Sequence, residues 1–282
     1  MSYEKIENKV ALITGGSEGI GFGIAKAFAE AGAKVAITGR DTNKLKTAKE
    51  KLGGKIQTIN ADITQVELCT PTLDTVLREF GRLDILINNA GAGIYKPISQ
   101  TTIEDFDLIF STNVRGLFSL TQVAIPELKK TRGNIINIGS VLGMRAMPVY
   151  SVYSASKAAV DYFTLSLAEE VKEYNIAVNC IAPTGAIYSE GNLQLFQDQA
   201  WIDTWEPREH FALGVVWLAK QDAKSFTGNL VYSRQLISQL GICKKWCCAA
   251  MGGSPSVGGP LRIDWESNLP VKLTEVMPTT GR

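Results

Sequence analysis

Histidine is nearly missing from this chain of 282 residues, which has only His210. A Ser-His-Asp hydrolase needs an imidazole beside its nucleophile, and His-based metal catalysis needs several, so both chemistries are disfavoured. Net charge is nearly missing too: 29 Lys and Arg against 28 Asp and Glu leave +1. That balance makes no broad field for nucleic acid or an anionic membrane, and neither is expected as a partner. No apolar run is long enough to span a bilayer. Met1 to Lys9 is polar and lacks the apolar stretch of a secretory leader, so the expected location is cytoplasmic. Cysteine is sparse and odd in number, at 69, 180, 243, 247 and 248. No disulfide framework follows from that spacing. The three late cysteines lack a suitably spaced fourth zinc ligand, so no metal is expected. There is no internal repeat.

The chain is 45% hydrophobic and 20% charged, ordinary for a globular protein with a real core. Short apolar runs alternate with amphipathic stretches. Strands are expected at Val10–Ile13, Lys34–Thr38, Ile56–Ile59, Asp84–Ile87, Asn134–Ile138 and Ala177–Ile181, with a seventh at Asn229–Tyr232. Helices are expected over 19–31, 42–52, 65–80, 152–174 and 208–219. A long helical region after the fourth strand is broken near Pro97 and Gly116. Apolar runs between helices are what strands buried on both faces look like. The alternation implies an α/β fold: a Rossmann-like doubly wound parallel sheet, a single domain with helices on both faces. The expected catalytic domain is 1–240. Residues 241–282, rich in Gly, Pro, Ser and Cys, read as an atypical C-terminal tail.

Thr14-Gly15-Gly16-Ser17-Glu18-Gly19-Ile20-Gly21 lies between the first strand and the first helix. Glycines at 15, 19 and 21 let the backbone turn sharply and approach a ligand closely. The helix behind them aims free N–H groups and its positive end at that point, where a pyrophosphate fits. The end of the second strand should meet the adenosine ribose. A carboxylate there would accept from both hydroxyls of NAD, but this chain has Gly39-Arg40. A guanidinium matches a 2′-phosphate, and Ser17 adds a hydroxyl donor, so NADP(H) is expected over NAD(H). Glu18 opposes that choice, and Arg40 as a solvated helix-start residue is the bland alternative.

Tyr153 and Lys157 are four apart on an expected helix, and so share one face. An ammonium near a phenol favours the phenolate, and the expectation is a lowered tyrosine pKa suited to proton exchange with a substrate oxygen. Ser140 follows the fifth strand, at a carboxyl end where such sheets bind ligands.

These motifs resemble the classical short-chain dehydrogenase/reductase family over residues 5 to 232. The matching residues are Thr14-Gly15-x-x-x-Gly19-Ile20-Gly21, Asp62, Asn88-Asn89-Ala90-Gly91, Asn113, Ser140 and Tyr153-x-x-x-Lys157. The resemblance implies a catalytic set of Asn113, Ser140, Tyr153 and Lys157, with Asn113 holding a water in a proton relay. It implies cofactor contacts from Gly15, Ser17, Gly19, Ile20, Gly21, Arg40, Asp62 and Ile63, with Asp62 on the adenine. Asn89, Ala90, Gly91, Tyr153, Lys157, Pro183 and Ile187 serve the nicotinamide side. The three-residue gap between Tyr153 and Lys157 disfavours the enoyl-thioester reductases of the family. Two places depart from its pattern. Pro183-Thr184-Gly185 stands where Pro-Gly is usual, and Ser233-Arg234-Gln235 where Asp-Gly-Gly closes the last strand.

The expected pocket draws on Gly93, Ile94, Tyr95, Val141, Leu142, Met144, Met147, Tyr150, Tyr188, Leu193, Phe196, Trp201 and Trp205. This apolar, aromatic set suits a small hydrophobic ketone, aldehyde or secondary alcohol. Half of such residues are ordinary core in any protein. Ala158, Ala159, Phe163, Leu165 and Leu167 put apolar surface on more than one helix face, which leads to an expected homodimer or homotetramer. The competing reading is a catalytically idle NADP(H)-binding sensor or interaction protein, working through its tail.

Overall fold

Val10, Ala11, Leu12 and Ile13 are all buried, the signature of a strand covered on both faces. The computed structural model describes residues 5–53, 56–190, 193 and 198–241. The tail from residue 242 onward, with Cys243, Cys247 and Cys248, lies outside the described residues. The elements run β1 (Val10–Ile13), α1 (Gly19–Glu30), β2 (Lys34–Gly39), α2 (Thr42–Leu52), β3 (Ile56–Asn60), α3 (Cys69–Phe80), β4 (Ile85–Asn88), α4 (Ile103–Phe110), α5 (Leu117–Thr131), β5 (Asn134–Ile138), α6 (Ser151–Val171), β6 (Ala177–Ala182), α7 (Arg208–Leu218), β7 (Asn229–Tyr232) and α8 (Ser233–Gln239).

The seven strands form one parallel sheet in the order β3-β2-β1-β4-β5-β6-β7. Side chains alternate across it with period two. Ala11, Ile13, Val35, Ile37, Ile85 and Ile87 pack with Ile24 and Phe28 of α1 and Phe211 and Val215 of α7. Val10, Leu12, Ala36 and Leu86 face the other way, toward Leu73 of α3, Leu120 and Leu128 of α5, and Leu167 of α6. Buried asparagines between strands are paired: Asn88 Nδ2 donates to Asn137 Oδ1 at 2.8 Å, and Asn137 Nδ2 to Thr164 Oγ1 at 2.9 Å. The expected doubly wound fold is therefore the observed one. The strand order reverses beside β1, so the crevice between the carboxyl ends of β1 and β4 is where such sheets take ligands.

Three local expectations need correction. The region after β4 is not helical through 89–97; α4 starts only at Ile103, where Thr102 and Asp105 form a reciprocal cap. Near Gly116 the helix does not break but widens into a π turn over Ser111–Gly116. A Cβ on Gly116 would lie 2.5 Å from Ile63 O, so glycine allows that close approach to the loop after β3. The expected helix over 65–80 begins as a 3-10 turn at Val66–Leu68 before α3 takes over. The sequence pattern also missed α8, and a one-turn helix at Gln199–Ile202.

Candidate active site

The glycine loop is held by β4. Gly15 and Gly19 have positive φ, +64° and +58°. A Cβ on Gly21 would fall 2.2 Å from Gly15 O and 2.4 Å from Asn89 Nδ2, so no side chain fits at that position. Asn89 Nδ2 donates to Thr14 O at 2.8 Å and to Gly15 O at 3.1 Å. Thr14 Oγ1 accepts from the N–H groups of Asn89 and Ala90. Asn89 thus ties the turn to the end of β4. Ile20, half-buried, packs into the core beneath it.

At the end of β2, Arg40 is exposed and its carbonyl accepts from Asn60 Nδ2 at 2.9 Å. Ser17 Oγ lies beside Gly39, 3.2 Å from where a Cβ would stand. Both nearby carboxylates have other work. Glu18 pairs with Lys44 at 2.8 Å, and Asp41 caps α2 by accepting from Asn43 N and Lys44 N. Lys44 is a second cation that sequence reasoning missed; helical spacing from Asp41 was the available signal. Asp62 Oδ1 accepts from Thr64 N and Thr64 Oγ1, both at 2.9 Å, which fixes the turn holding Asp62 and Ile63.

Asn113, Ser140, Tyr153 and Lys157 come together. Ser140 caps the 3-10 turn Val141–Gly143, its Oγ accepting from Leu142 N at 3.2 Å, and its hydroxyl neighbours the Tyr153 phenol. Lys157, buried on the same face of α6 as Tyr153, donates from Nζ to Ile138 O at 2.8 Å. Asn113 accepts from Ala92 N at 2.7 Å and donates to Ala92 O at 2.9 Å and Ser156 Oγ at 3.0 Å. Ser156 Oγ donates in turn to Tyr153 O at 2.7 Å. Ser156 is therefore a link that sequence reasoning missed, joining the π turn to the tyrosine's own backbone. A Cβ on Gly91 would stand 3.4 Å from Asn113 Oδ1 and 3.8 Å from Lys157 Nζ.

The expected electrostatics at Tyr153 need correction. Burial pushes its phenol above the ordinary value, and the neighbouring Ser140 hydroxyl pulls it only part of the way back. Lys157 does not govern it: the ammonium is turned to Ile138 O, 5.9 Å from the tyrosine ring centre, and its own pKa is lowered by burial. Desolvation therefore outweighs the charge effect here.

The pocket residues divide. Tyr95 and Tyr150 gather on Tyr153, with ring centres 6.2 and 6.5 Å away. Burial, with Tyr153 and Tyr150 adding to it, pushes the Tyr95 phenol up to about 12. Met144 and Met147 are exposed on the segment after Ser140. Tyr188, Trp201 and Trp205 form a separate aromatic group, in which Trp205 is buried. Phe196 lies outside the described residues.

Beyond β6, Pro183 is half-buried and Ile187 is 1% exposed, packed into the core rather than open to a ligand. Ile187 bridges to Glu206: Glu206 N donates to Ala186 O, and Tyr188 N to Glu206 O, both at 3.0 Å.

The sheet and this crevice define a Rossmann-type oxidoreductase, a fold that binds NAD(P)(H). The model of the short chain dehydrogenase family matches residues 9–200, and the chain belongs to that family. An L-fucose dehydrogenase of Oryctolagus cuniculus is 37% identical over 284 residues, covering 100% of this chain and 97% of that protein. A 3-oxoacyl-(acyl-carrier-protein) reductase of Chlamydia muridarum is 37% identical over 181 residues, covering 62% of this chain and 73% of that one. Among solved structures, a 3-ketoacyl-(acyl-carrier-protein) reductase from Brucella melitensis complexed with NADH superimposes with a TM-score of 0.76. It is 32% identical and covers 81% of this chain and 97% of that chain. Among the described residues no helix is long and apolar enough to cross a membrane.

Proposed function

We propose that this enzyme moves a hydride between NADP(H) and a hydrophobic ketone, aldehyde or secondary alcohol, with Tyr153 as general acid and base. The observation that carries the reading is the meeting of Ser140, Tyr153 and buried Lys157 beside the carboxyl end of β5, bordered by Tyr95 and Tyr150. The glycine loop fits the dinucleotide, because a Cβ at Gly21 would fill the turn that a pyrophosphate has to approach. Gly15, Gly19, Asn89, Ala90, Gly91 and Lys157 would hold the cofactor, which supplies the hydride when bound. Pro183 would do so beside them, while Ile187 serves by anchoring that segment in the core.

Ser140 and Tyr153 are both hydroxyls, so both can donate to one substrate oxygen. As the carbonyl carbon gains its hydride, that oxygen becomes an alkoxide, and Tyr153 gives it a proton to complete the alcohol. Burial keeps the proton on the phenol near neutral pH, which suits the reducing direction. Asn113, bound to Ala92 and Ser156, holds the loop after Gly91 against α6. NADP(H) is favoured by exposed Arg40 at the end of β2, by Ser17 beside Gly39, and by Lys44 drawing Glu18 to itself. An open groove of about 660 Å³ lined by Leu108, Phe110, Val114, Leu117, Phe118 and Phe163 supports a second copy of the chain as partner.

Tyr153→Phe tests the assignment. Turnover should fall by roughly 10²–10⁴, the usual contribution of a positioned general acid, while dinucleotide affinity by fluorescence titration stays near wild type. Near-normal kcat would overturn the role. The carbonyl panel should include L-fucose, given the relative that aligns over the whole chain.

A further inference from the structure

Gly19 opens α1 with φ +58°, so its N–H is one of the donors that a helix start leaves without an internal partner. In this protein that donor is taken. Glu190, in the segment after β6, accepts from Gly19 N through Oε2 at 3.0 Å. Its other oxygen, Oε1, accepts from Arg208 Nη1 at 2.8 Å. Arg208 stands at the start of α7, its guanidinium carbon 5.3 Å from the Phe22 ring centre and its stem over Gly23. Glu209 lies 3.4 Å from Arg208 Nε, and Glu18, next to Gly19 in the chain, is paired with Lys44. Burial pushes the Glu190 carboxyl up, but its bonds to backbone and to Arg208 outweigh that and hold it below its usual range. It is an anion at neutral pH.

We infer that Glu190 is a built-in competitor for the pyrophosphate of the dinucleotide. The inference rests on the reading of the glycine loop as the cofactor site. A pyrophosphate oxygen and the Glu190 carboxylate need the same N–H and carry the same sign of charge, so both cannot sit at the start of α1. The carboxylate must leave Gly19 for the cofactor to take full hold. Its departure also frees Arg208. The two contacts share one carboxylate, so the guanidinium is within reach of an anion that replaces it. Glu190 thus lowers cofactor affinity and speeds release, and it joins the segment after β6 to the state of the glycine loop.

The test uses ADP-ribose, which has the adenosine, pyrophosphate and ribose but no nicotinamide, with adenosine as the phosphate-free control. Calorimetry is run on the full-length wild type, Glu190→Gln and Glu190→Ala. Removing the charge should tighten ADP-ribose about two- to fivefold, the effect of a half-exposed charge at a helix start, with adenosine unchanged. Unchanged or weaker ADP-ribose binding in both variants would overturn the inference. An equal gain for adenosine would overturn it too, since that reports a loosened loop rather than a vacated anion site. A wild type that binds neither ADP-ribose nor NADPH nor NADH would instead overturn the cofactor site itself, and the inference with it.

Discussion

Two regions border the same crevice, and each buries a carboxylate, but they handle it differently. In α6, Asp161 lies one turn beyond Lys157 and is 3% exposed. Its one hydrogen-bond donor among the described residues is a thiol, Cys180 Sγ, 3.3 Å from Oδ1. After β6, Glu206 is 1% exposed and is supplied on one of its two oxygens, though burial raises its carboxyl as well. Its Oε2 accepts from Ser233 Oγ at 2.6 Å and lies 3.9 Å from Arg234 Nε, while Arg234 Nη2 donates to Thr204 O at 2.7 Å. The first carboxylate sits in a frame that glycines and apolar strands already define. The second is part of what holds its region, since the backbone of Glu206 pins the 186–188 segment. The contrast also accounts for a departure from the family pattern. Ser233-Arg234 stands where Asp-Gly-Gly is usual, and these are the two side chains that reach Glu206.

Asp161→Asn should show the largest difference. Burial raises the Asp161 carboxyl to about 6, against smaller opposing effects from Cys180 and Lys157. Its pKa is thus higher folded than unfolded. The stability it contributes is complete below about pH 4 and is lost as pH rises through about 6. The Asn variant cannot ionise, so it should gain on wild type by on the order of 2–3 kcal/mol between pH 4 and 7.5. His210, which burial pushes down, slopes the other way but is present in both proteins and cancels in the difference. Parallel denaturation curves for the two proteins across that range would show that Asp161 ionises without cost, and the contrast with Glu206 would collapse.

Ser233→Ala comes next. It removes a short hydrogen bond to a buried carboxylate and leaves Glu206 with Arg234 at longer range. Hydrogen bonds to charged groups contribute roughly 1.5–3 kcal/mol, and a urea midpoint shift of that size is expected. The KM for the cofactor should rise with it, because Ile187 loses its anchor. A stability loss with unchanged KM would separate the latch from the site.

The sequence announces the first region much better than the second. Five-residue runs such as Asn134–Ile138 can only be strands between helices, and β1, β5 and β7 lie where their apolar residues end. Tyr153, Lys157 and Ser140 are legible because helical spacing and a strand end place them, and Asn113 only through the family resemblance. What stayed hidden depends on contacts remote in sequence. Gly19 and Glu190 are 171 residues apart, and Ser233 and Glu206 are 27 apart, with no periodicity to connect them. The π turn was hidden for another reason: it answers to the Ile63 carbonyl pressing on Gly116, a tertiary fact. The direction of the Tyr153 shift was misjudged because spacing reveals a neighbouring lysine but not how deeply the phenol is buried.

The smallest expected effect concerns Lys44, at the far edge of the first region. It and Glu18 are both about half exposed, and their 2.8 Å pair is a surface ion pair, so its removal should hardly change stability. Its consequence lies in charge. With Lys44 in place, Glu18 is drawn toward α2 and its repulsion of an anion near Arg40 is blunted. Lys44→Ala takes away one cation and releases one anion, both unfavourable to a 2′-phosphate and neither important to two ribose hydroxyls. The ratio of kcat/KM for NADPH over NADH should therefore fall by about 1.4- to 5-fold, in line with the roughly 0.2–1 kcal/mol of exposed pairs. Glu18→Gln in the Lys44→Ala background should restore part of it, because the released charge is gone. The ratio should also shrink as salt rises, since exposed charges are screened over about 10 Å at 0.1 M. If Lys44→Ala lowers kcat/KM equally for both cofactors, the pair only supports the start of α2, and Arg40 alone bears the preference.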